Sequence, residues 1–257
     1  MIDFLTDLLS LIALPLAAGL LVLSSHIPLG EQVLRRGIVF IDLAIAQIAA
    51  LGVLALSGQG FSPAGALWSA ALAAMLAAAA IAWLTRRWPD QREPMIGLVY
   101  VGAAALAVVW VSEDPHGAQK LRTLLAGDIL WVTWTSISPL AIASVTLLAS
   151  LRYRPDLLAH DRWFYPVFAL MISLSVPLLG LYLVFAVLIA PALGASSLRR
   201  MGLRNASQAA WGIGALGFCT GLLGSFLLDW PSGPTVTLSL VLVAGITRVA
   251  SAGRLSE

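Results

Sequence analysis

The sequence predicts an all-α fold, a polytopic transmembrane helical bundle of eight or nine spans built as a single membrane domain over residues 1–257. Three observations predict it. Of the 257 residues 60% are hydrophobic and only 11% are charged, against about 25% charged in an ordinary soluble domain. The apolar residues fall into runs long enough to cross a bilayer, and the basic residues are confined to alternate connections. A soluble globule with so few charges could not cover its own surface, and a mean hydropathy of +0.92 agrees with lipid as the solvent.

Crossing the hydrocarbon core takes about 20 residues of helix. Nine apolar runs approach that length, near 4–25, 37–57, 62–84, 94–112, 130–151, 164–179, 182–197, 206–228 and 233–250. The first carries Asp3 and Asp7 where a signal peptide would carry Lys or Arg, so it is expected to be a retained helix. The sixth and seventh are short and meet around Leu178 to Leu181, which predicts a tight hairpin or one incomplete crossing. Arg35 and Arg36 follow the first run, Arg86, Arg87 and Arg92 the third, Arg152, Arg154 and Arg162 the fifth, and Arg199, Arg200 and Arg204 the seventh, with Arg248 and Arg254 at the end. The intervening loops are nearly free of basic residues, apart from the mixed 113–123 segment. The excess of Lys and Arg in cytoplasmic loops then puts the N-terminus outside and the C-terminus in the cytoplasm, a parity that nine crossings satisfy.

Smaller features fit the same reading. Trp68, Trp83, Trp88, Trp110, Trp131, Trp163 and Trp230 lie near run ends, as interfacial aromatics do. Gly214, Gly217, Gly221 and Gly224 form one small face on which another helix can approach closely. Pro139, Pro177 and Pro191 predict kinks or breaks. Cys219 is the single cysteine, which excludes an intrachain disulfide. The scattered basic clusters form no continuous face for nucleic acid. No phosphate-binding G-x-x-x-x-G-K-[ST], H-E-x-x-H or G-x-S-x-G is present, so the chain is not expected to be an enzyme, and any ATP hydrolysis must belong to another chain.

Polar groups inside the runs are the candidates for chemistry. An Asp at mid-span costs roughly 2.5–3.5 kcal/mol on insertion scales. Asp42 lies six residues beyond Arg36, or about 9 Å at helical rise, which predicts a position below the headgroups. Gln47 sits near the middle of the same run. Both are expected to line a polar cation pathway, against the plainer reading that Asp42 pairs with an arginine and Gln47 bonds a neighbouring helix. Five residues turn an ideal helix by about 140°, so the two share a face only if a π-bulge intervenes. His26, expected in the first cytoplasmic loop ahead of Pro28, and His116, in EDPHGAQK on the outer side, are auxiliary ligand candidates. His160 lies in the basic loop RYRPDLLAHDR. No two histidines have metal-ligand spacing. For each one a solvated or capping role is the commoner reading, and Glu93 and Asp128, at run ends, read as snorkelled or capping carboxylates.

Four segments resemble one family in order and spacing. VLRRGIVFIDLAIAQIAALGV (33–53) resembles the second-helix signature of the zinc/manganese-type metal ABC importer permeases. LLAGDILWVT (124–133), LVFAVLIAPALGA (183–195) and DWPSGPTVTLSLVL (229–242) resemble that family's later segments. The resemblance implies a permease dimer, expected to be a homodimer, with a pathway at the interface. It implies two cytoplasmic ATPase subunits and an extracytoplasmic metal-binding protein, and a divalent ion (Zn, Mn or Fe) as transported substrate with no permanently bound cofactor. Asp42 matches the family's second-helix aspartate, while the family's histidine four residues on is missing and Gln47 stands nearest to it. The loop from Arg152 to Arg162 resembles the ATPase-docking loop, with Arg154, Pro155, Asp156 and Ala159 in its pattern of an acid and alanines after a proline. The rival readings are an importer permease for a metal chelate or siderophore, and a secondary transporter working without an ATPase.

Overall fold

The structure is a computed structural model describing residues 2–56, 63–112, 114, 116–127, 129–200 and 206–253. Ten α-helices occur among these residues: α1 (Ile2–Arg36), α2 (Ile41–Leu56), α3 (Pro63–Arg87), α4 (Arg92–Val111), α5 (Gly117–Ala126), α6 (Trp134–Tyr153), α7 (Asp161–Leu179), α8 (Leu181–Arg200), α9 (Ala206–Leu228) and α10 (Ser232–Gly253). Eight are long and apolar enough to cross a membrane, and α2 is a shorter apolar helix. At 16 residues α2 is about 24 Å long, short of the roughly 30 Å hydrocarbon core. Among the described residues the shorter apolar helix is thus α2, and not the sixth or seventh run. Those runs become α7 and α8, of 19 and 20 residues, because polar residues at their ends join the helices.

The helices divide by burial. Most of the spanning segment of α8 is inside the protein, followed by α7 and α1, whereas α3, α4, α6 and α10 turn most of their surface outward. Leu72, Leu76, Leu98, Val109, Ile142, Val145, Leu238, Ile246 and Val249 lie on those outward faces, and all seven of the tryptophans expected near span ends are exposed. Lipid satisfies such a surface where water would not. α2 sits inside, against α3, α4, α7 and α8. Hydroxyls on the spans bond back to their own helix, as Thr146 does to the Ile142 carbonyl at 2.7 Å and Thr220 to Leu216 at 2.7 Å. No water is available there to take those bonds.

Close approach occurs where glycine permits it. Gly217 and Gly221 of α9 lie against Leu240 and Val236 of α10, while Gly214 faces Leu23 of α1 and Pro191 of α8. The expected single glycine face therefore serves two sets of neighbours. Gly127 and Gly180 have φ of +63° and +81°, and their backbones abut, so the chain after α5 is locked to the α7–α8 elbow. Helix α5, within a stretch expected to be loop, is the element not anticipated. The helices run unbroken through Pro139, Pro177 and Pro191, so these residues do not interrupt the spans.

One end of the bundle collects the basic residues. Arg36 at the end of α1 reaches the start of α7, Thr85 near the end of α3 bonds Tyr165 of α7 at 2.9 Å, and Arg248 near the end of α10 reaches Ser196 of α8 at 3.5 Å. At that end the chain leaves α1, turns through Gly37 at φ +63°, and enters α2.

Candidate functional site: the entrance of α2 and the loop beside it

Helix α2 starts at Ile41, so Asp42 falls in its first turn. The expected depth of about 9 Å assumed continuous helix from Arg36; the turn at 37–40 removes most of that rise, and Asp42 lies at the entrance of the span. It is nonetheless enclosed, with 1% of its surface exposed, and faces neither lipid nor bulk solvent. Its carboxyl takes backbone N–H groups at the helix start, from Leu43 and from its own residue, but Oδ1 accepts no hydrogen bond. No arginine neutralises it among the described residues. Arg35 pairs with Glu31 at 3.8 Å, Arg36 with Asp161 at 3.4 Å, and Arg92 donates to the Thr85 carbonyl.

Gln47 is buried as well, at 4% exposure. Helix α2 has regular α geometry from end to end, so the π-bulge that would bring Gln47 round to Asp42 is absent, and the two point in directions about 140° apart. A different residue joins Asp42. Glu93, in the first turn of α4, accepts the Phe40 backbone N–H at 3.1 Å through Oε1. It caps α2, not its own helix, through the residue two positions before Asp42. Its Oε2 is buried and accepts no hydrogen bond. From the sequence Glu93 reads as a capping carboxylate; that is correct in kind, but which helix it caps depends on packing between α2 and α4.

The histidines lie elsewhere. His26 is not in a loop: α1 continues ten residues past it, through Pro28, and the side chain is fully buried. Its Nε2 is 3.1 Å from Ser175 Oγ, and its Nδ1 is 3.1 Å from the Val22 carbonyl and 3.2 Å from Ser25 Oγ. Ser144 Oγ donates to Ser25 Oγ at 3.1 Å, so one polar knot ties α1, α6 and α7 together. With both ring nitrogens engaged, His26 has no free position for a metal in this arrangement. His116 is exposed, its backbone N–H bonded to Asp114 at 2.9 Å. Among the described residues no group of three or more His, Cys, Asp or Glu side chains could enclose a metal ion. Glu113 and Asp128 lie outside the described residues.

The loop between α6 and α7 is built for display. Arg154, Pro155, Asp156, Ala159 and His160 are exposed around a short 3-10 turn, Leu157–Ala159, whose Leu158 is buried as an anchor. Arg36 holds the loop from behind. Its Nη2 donates to the Leu158 carbonyl at 2.8 Å and the Ala159 carbonyl at 3.0 Å, its Nε and Nη2 lie 3.4 Å from Asp161 Oδ1, and its guanidinium sits 4.1 Å over the Phe164 ring. Nη1 donates to Gln32 at 2.7 Å, which fixes the side chain to α1. Sequence reading assigned Arg36 only to topology. In the fold it connects the displayed loop to the elbow that leads into Asp42.

An apolar groove runs between α2, α4, α8 and α10, lined by Leu43, Tyr100, Phe185, Ile189 and Val241, with Arg248 at one end. Asp42 and Gln47 are not among its walls.

These features can be set beside known proteins. The chain is similar to the structure of PsaBC from Streptococcus pneumoniae in complex with Fab, with a TM-score of 0.71 and 18% identity over 96% of this chain and 95% of that one. It also matches a metal-chelate type ABC transporter in an inward-facing conformation, with a TM-score of 0.47 and 18% identity over 100% of this chain and 82% of that one. At such identities the first likeness speaks to the fold, which is that of an ABC permease. The profile of the ABC 3 transport family matches residues 9–160 and 156–250, nearly the whole sequence. With eight helices of spanning length and that match, the chain is a multi-pass membrane permease belonging to the ABC 3 transport family.

Proposed function

We propose that this permease carries a divalent transition metal ion, Zn, Mn or Fe, into the cytoplasm by alternating access, driven by separate ATPase subunits. The observation that carries the reading is Asp42: a carboxyl sealed from lipid and water, with no arginine against it among the described residues, at the entrance of the short apolar helix α2. A structural acid in a membrane protein is ordinarily paired. An unpaired one lowers the cost of bringing a partly dehydrated cation into a medium of low dielectric. Gln47, buried further along α2, is a second polar contact in this reading, but on another face of the helix, about 140° round from Asp42.

The basic end of the bundle is the cytoplasmic one in this reading, which puts the N-terminus outside and the C-terminus inside. The 152–162 loop is then the docking surface for the ATPase, with Arg154, Pro155, Asp156 and Ala159 presented to it. A second copy of the chain completes the conduit, and an extracytoplasmic binding protein delivers the ion. Closure of the ATPases moves the loop, Arg36 transmits the displacement to the α1–α2 elbow, and the surroundings of Asp42 change.

The test is uptake of radiolabelled metal into cells or vesicles containing the whole transporter. Asp42→Ala is expected to abolish uptake while the permease still assembles with its ATPase. Uptake at the wild-type rate would discard the pathway role. Transport of a bulky chelate with no transport of the free ion would replace the metal by its complex as cargo.

A further inference from the structure

We propose that the groove between α3, α6 and α7 holds a phospholipid with an anionic headgroup, its acyl chain lying along α6 and its headgroup among the arginines of the α6–α7 loop. The site is separate from Asp42 and independent of which cargo is carried. Its effect on transport rests on reading residues 152–162 as the docking surface for the ATPase.

Helices α3 and α6 both pack on α7 and leave a cleft between them of about 490 Å3. Trp68, Ala71, Ile142, Ala143, Leu170 and Leu174 are among its walls. The hydroxyls of Thr146 and Ser150 also line it, and each donates to a carbonyl of its own helix at 2.7 Å. With those hydroxyls engaged by the backbone, the α6 wall presents hydrocarbon. On α6 the groove runs from Pro139 to Ser150, eleven residues or about 16 Å at helical rise. That is close to the depth of one leaflet, half of a roughly 30 Å hydrocarbon core. One acyl chain entering from the loop end fits that length.

The loop end supplies the polar half of the match. Tyr153, three residues past Ser150, and Trp163, four before Val167, continue the groove-facing stripes of α6 and α7, and both are exposed. Such rings sit at headgroup level. The Arg162 guanidinium lies 5.7 Å over the Trp163 ring, beside that stripe. Arg152, Arg154 and Arg162 are exposed and none is in an ion pair among the described residues, whereas Asp161 is taken by Arg36. Three such guanidinium groups against the one remaining carboxylate, that of Asp156, leave this end positive, and a phosphate complements it. A second copy of the chain does not. Two copies of like orientation, related by a two-fold axis through the groove, would set these arginines against themselves. Leu157, the first residue of the 3-10 turn, lines the groove from the loop side. An occupied groove therefore braces from the membrane side the same turn that Arg36 holds from behind.

The experiment uses the purified full chain in detergent. The probes are dioleoyl phosphatidylglycerol and dioleoyl phosphatidylcholine, which share acyl chains and differ in headgroup charge. Native mass spectrometry reads the lipid retained per chain. The expected result is one phosphatidylglycerol per chain, held in preference to phosphatidylcholine, with slower hydrogen exchange of residues 157–159 when it is bound. Arg162→Gln is expected to weaken phosphatidylglycerol about fivefold, the scale for one basic residue at an anionic surface, and to leave phosphatidylcholine unchanged. Ala143→Phe fills the groove and is expected to abolish retention. Should Ala143→Phe not fold, Arg162→Gln, at an exposed position, decides alone. Equal retention of both lipids, as for lipid of the general surround, would overturn the proposal, as would unchanged phosphatidylglycerol affinity in Arg162→Gln. Conversion of a dimer to a monomer by Ala143→Phe, with bound lipid unchanged, would make the groove an interface between copies and overturn it too. Lipid retained without slower exchange at 157–159 would overturn the bracing of the loop. None of these readouts uses transported metal, so failure here leaves the reading of Asp42 standing, and full metal uptake in Asp42→Ala leaves the lipid site standing.

Discussion

Replacing Arg36 by alanine tests whether the loop between α6 and α7 is mechanically joined to the entrance of α2. The guanidinium makes hydrogen bonds to two backbone carbonyls at 2.8 and 3.0 Å, one to Gln32 at 2.7 Å, a longer ion pair with Asp161 at 3.4 Å and a stacking contact on Phe164 at 4.1 Å. These contributions are unequal. Asp161 is 48% exposed, so the ion pair contributes about 0–1 kcal/mol. A charge-assisted bond contributes about 1.5–3 kcal/mol where water is excluded, and the Arg36 side chain is only 13% exposed. The cation over the ring adds about 0.5–2 kcal/mol. Because these groups act as one unit the values do not add, and a net loss of about 3 kcal/mol is expected, against about 0.5 kcal/mol for an ordinary surface substitution. Arg36→Lys keeps a charge but loses the planar fork that reaches both carbonyls and the stacking plane, and should recover less than half of the loss. Thermal unfolding in detergent gives the stability, and hydrogen exchange of residues 157–161 gives the local effect. Faster exchange confined to that segment in Arg36→Ala is the expected pattern. Unchanged exchange there, together with a stability loss below about 0.5 kcal/mol, would refute the strut.

Three further outcomes are expected. Ser175→Ala removes the partner of His26 Nε2 inside the core and should lower stability by about 1–3 kcal/mol, the range for an orphaned buried polar group, measured by thermal unfolding. Gly180→Ala places a Cβ at φ +81° against the backbone of Ala126 and Gly127, and should lower the yield of folded protein and its stability by about 1–3 kcal/mol; wild-type stability would show that the α7–α8 elbow is not locked as described. Asp156→Ala, on the exposed loop, should leave the unfolding midpoint unchanged while reducing co-purification of the ATPase subunit; undiminished co-purification would remove Asp156 from the docking surface.

The class of fold was legible because lipid imposes a one-dimensional code. A backbone that must satisfy itself in hydrocarbon is helical, and each apolar run of about 20 residues then reads as a crossing. The basic end was legible for a similar reason: charge location relative to the runs needs no knowledge of packing. Asp42 was found because an acid within an apolar run stands out in any arrangement. What the sequence left open were relations between helices. That His26 lies inside a 35-residue helix and not in a loop follows from α1 packing on α6 and α7, which supply Ser144 and Ser175.

The sequence by itself therefore determined the membrane class, the number of apolar runs, their alternation and the single acid within the second of them. Only the tertiary structure decided that α2 is the shorter apolar helix among the described residues, that no π-bulge brings Gln47 round to Asp42, that Glu93 comes from the start of α4 to cap α2 at Phe40, and that Arg36 braces the displayed loop. The physical reason is that hydropathy acts along the chain, whereas a carboxylate acquires its neighbours across it. The rotation of one helix against another is set by side-chain packing, through glycine contacts and buried hydrogen bonds, and no periodicity within a single run records it.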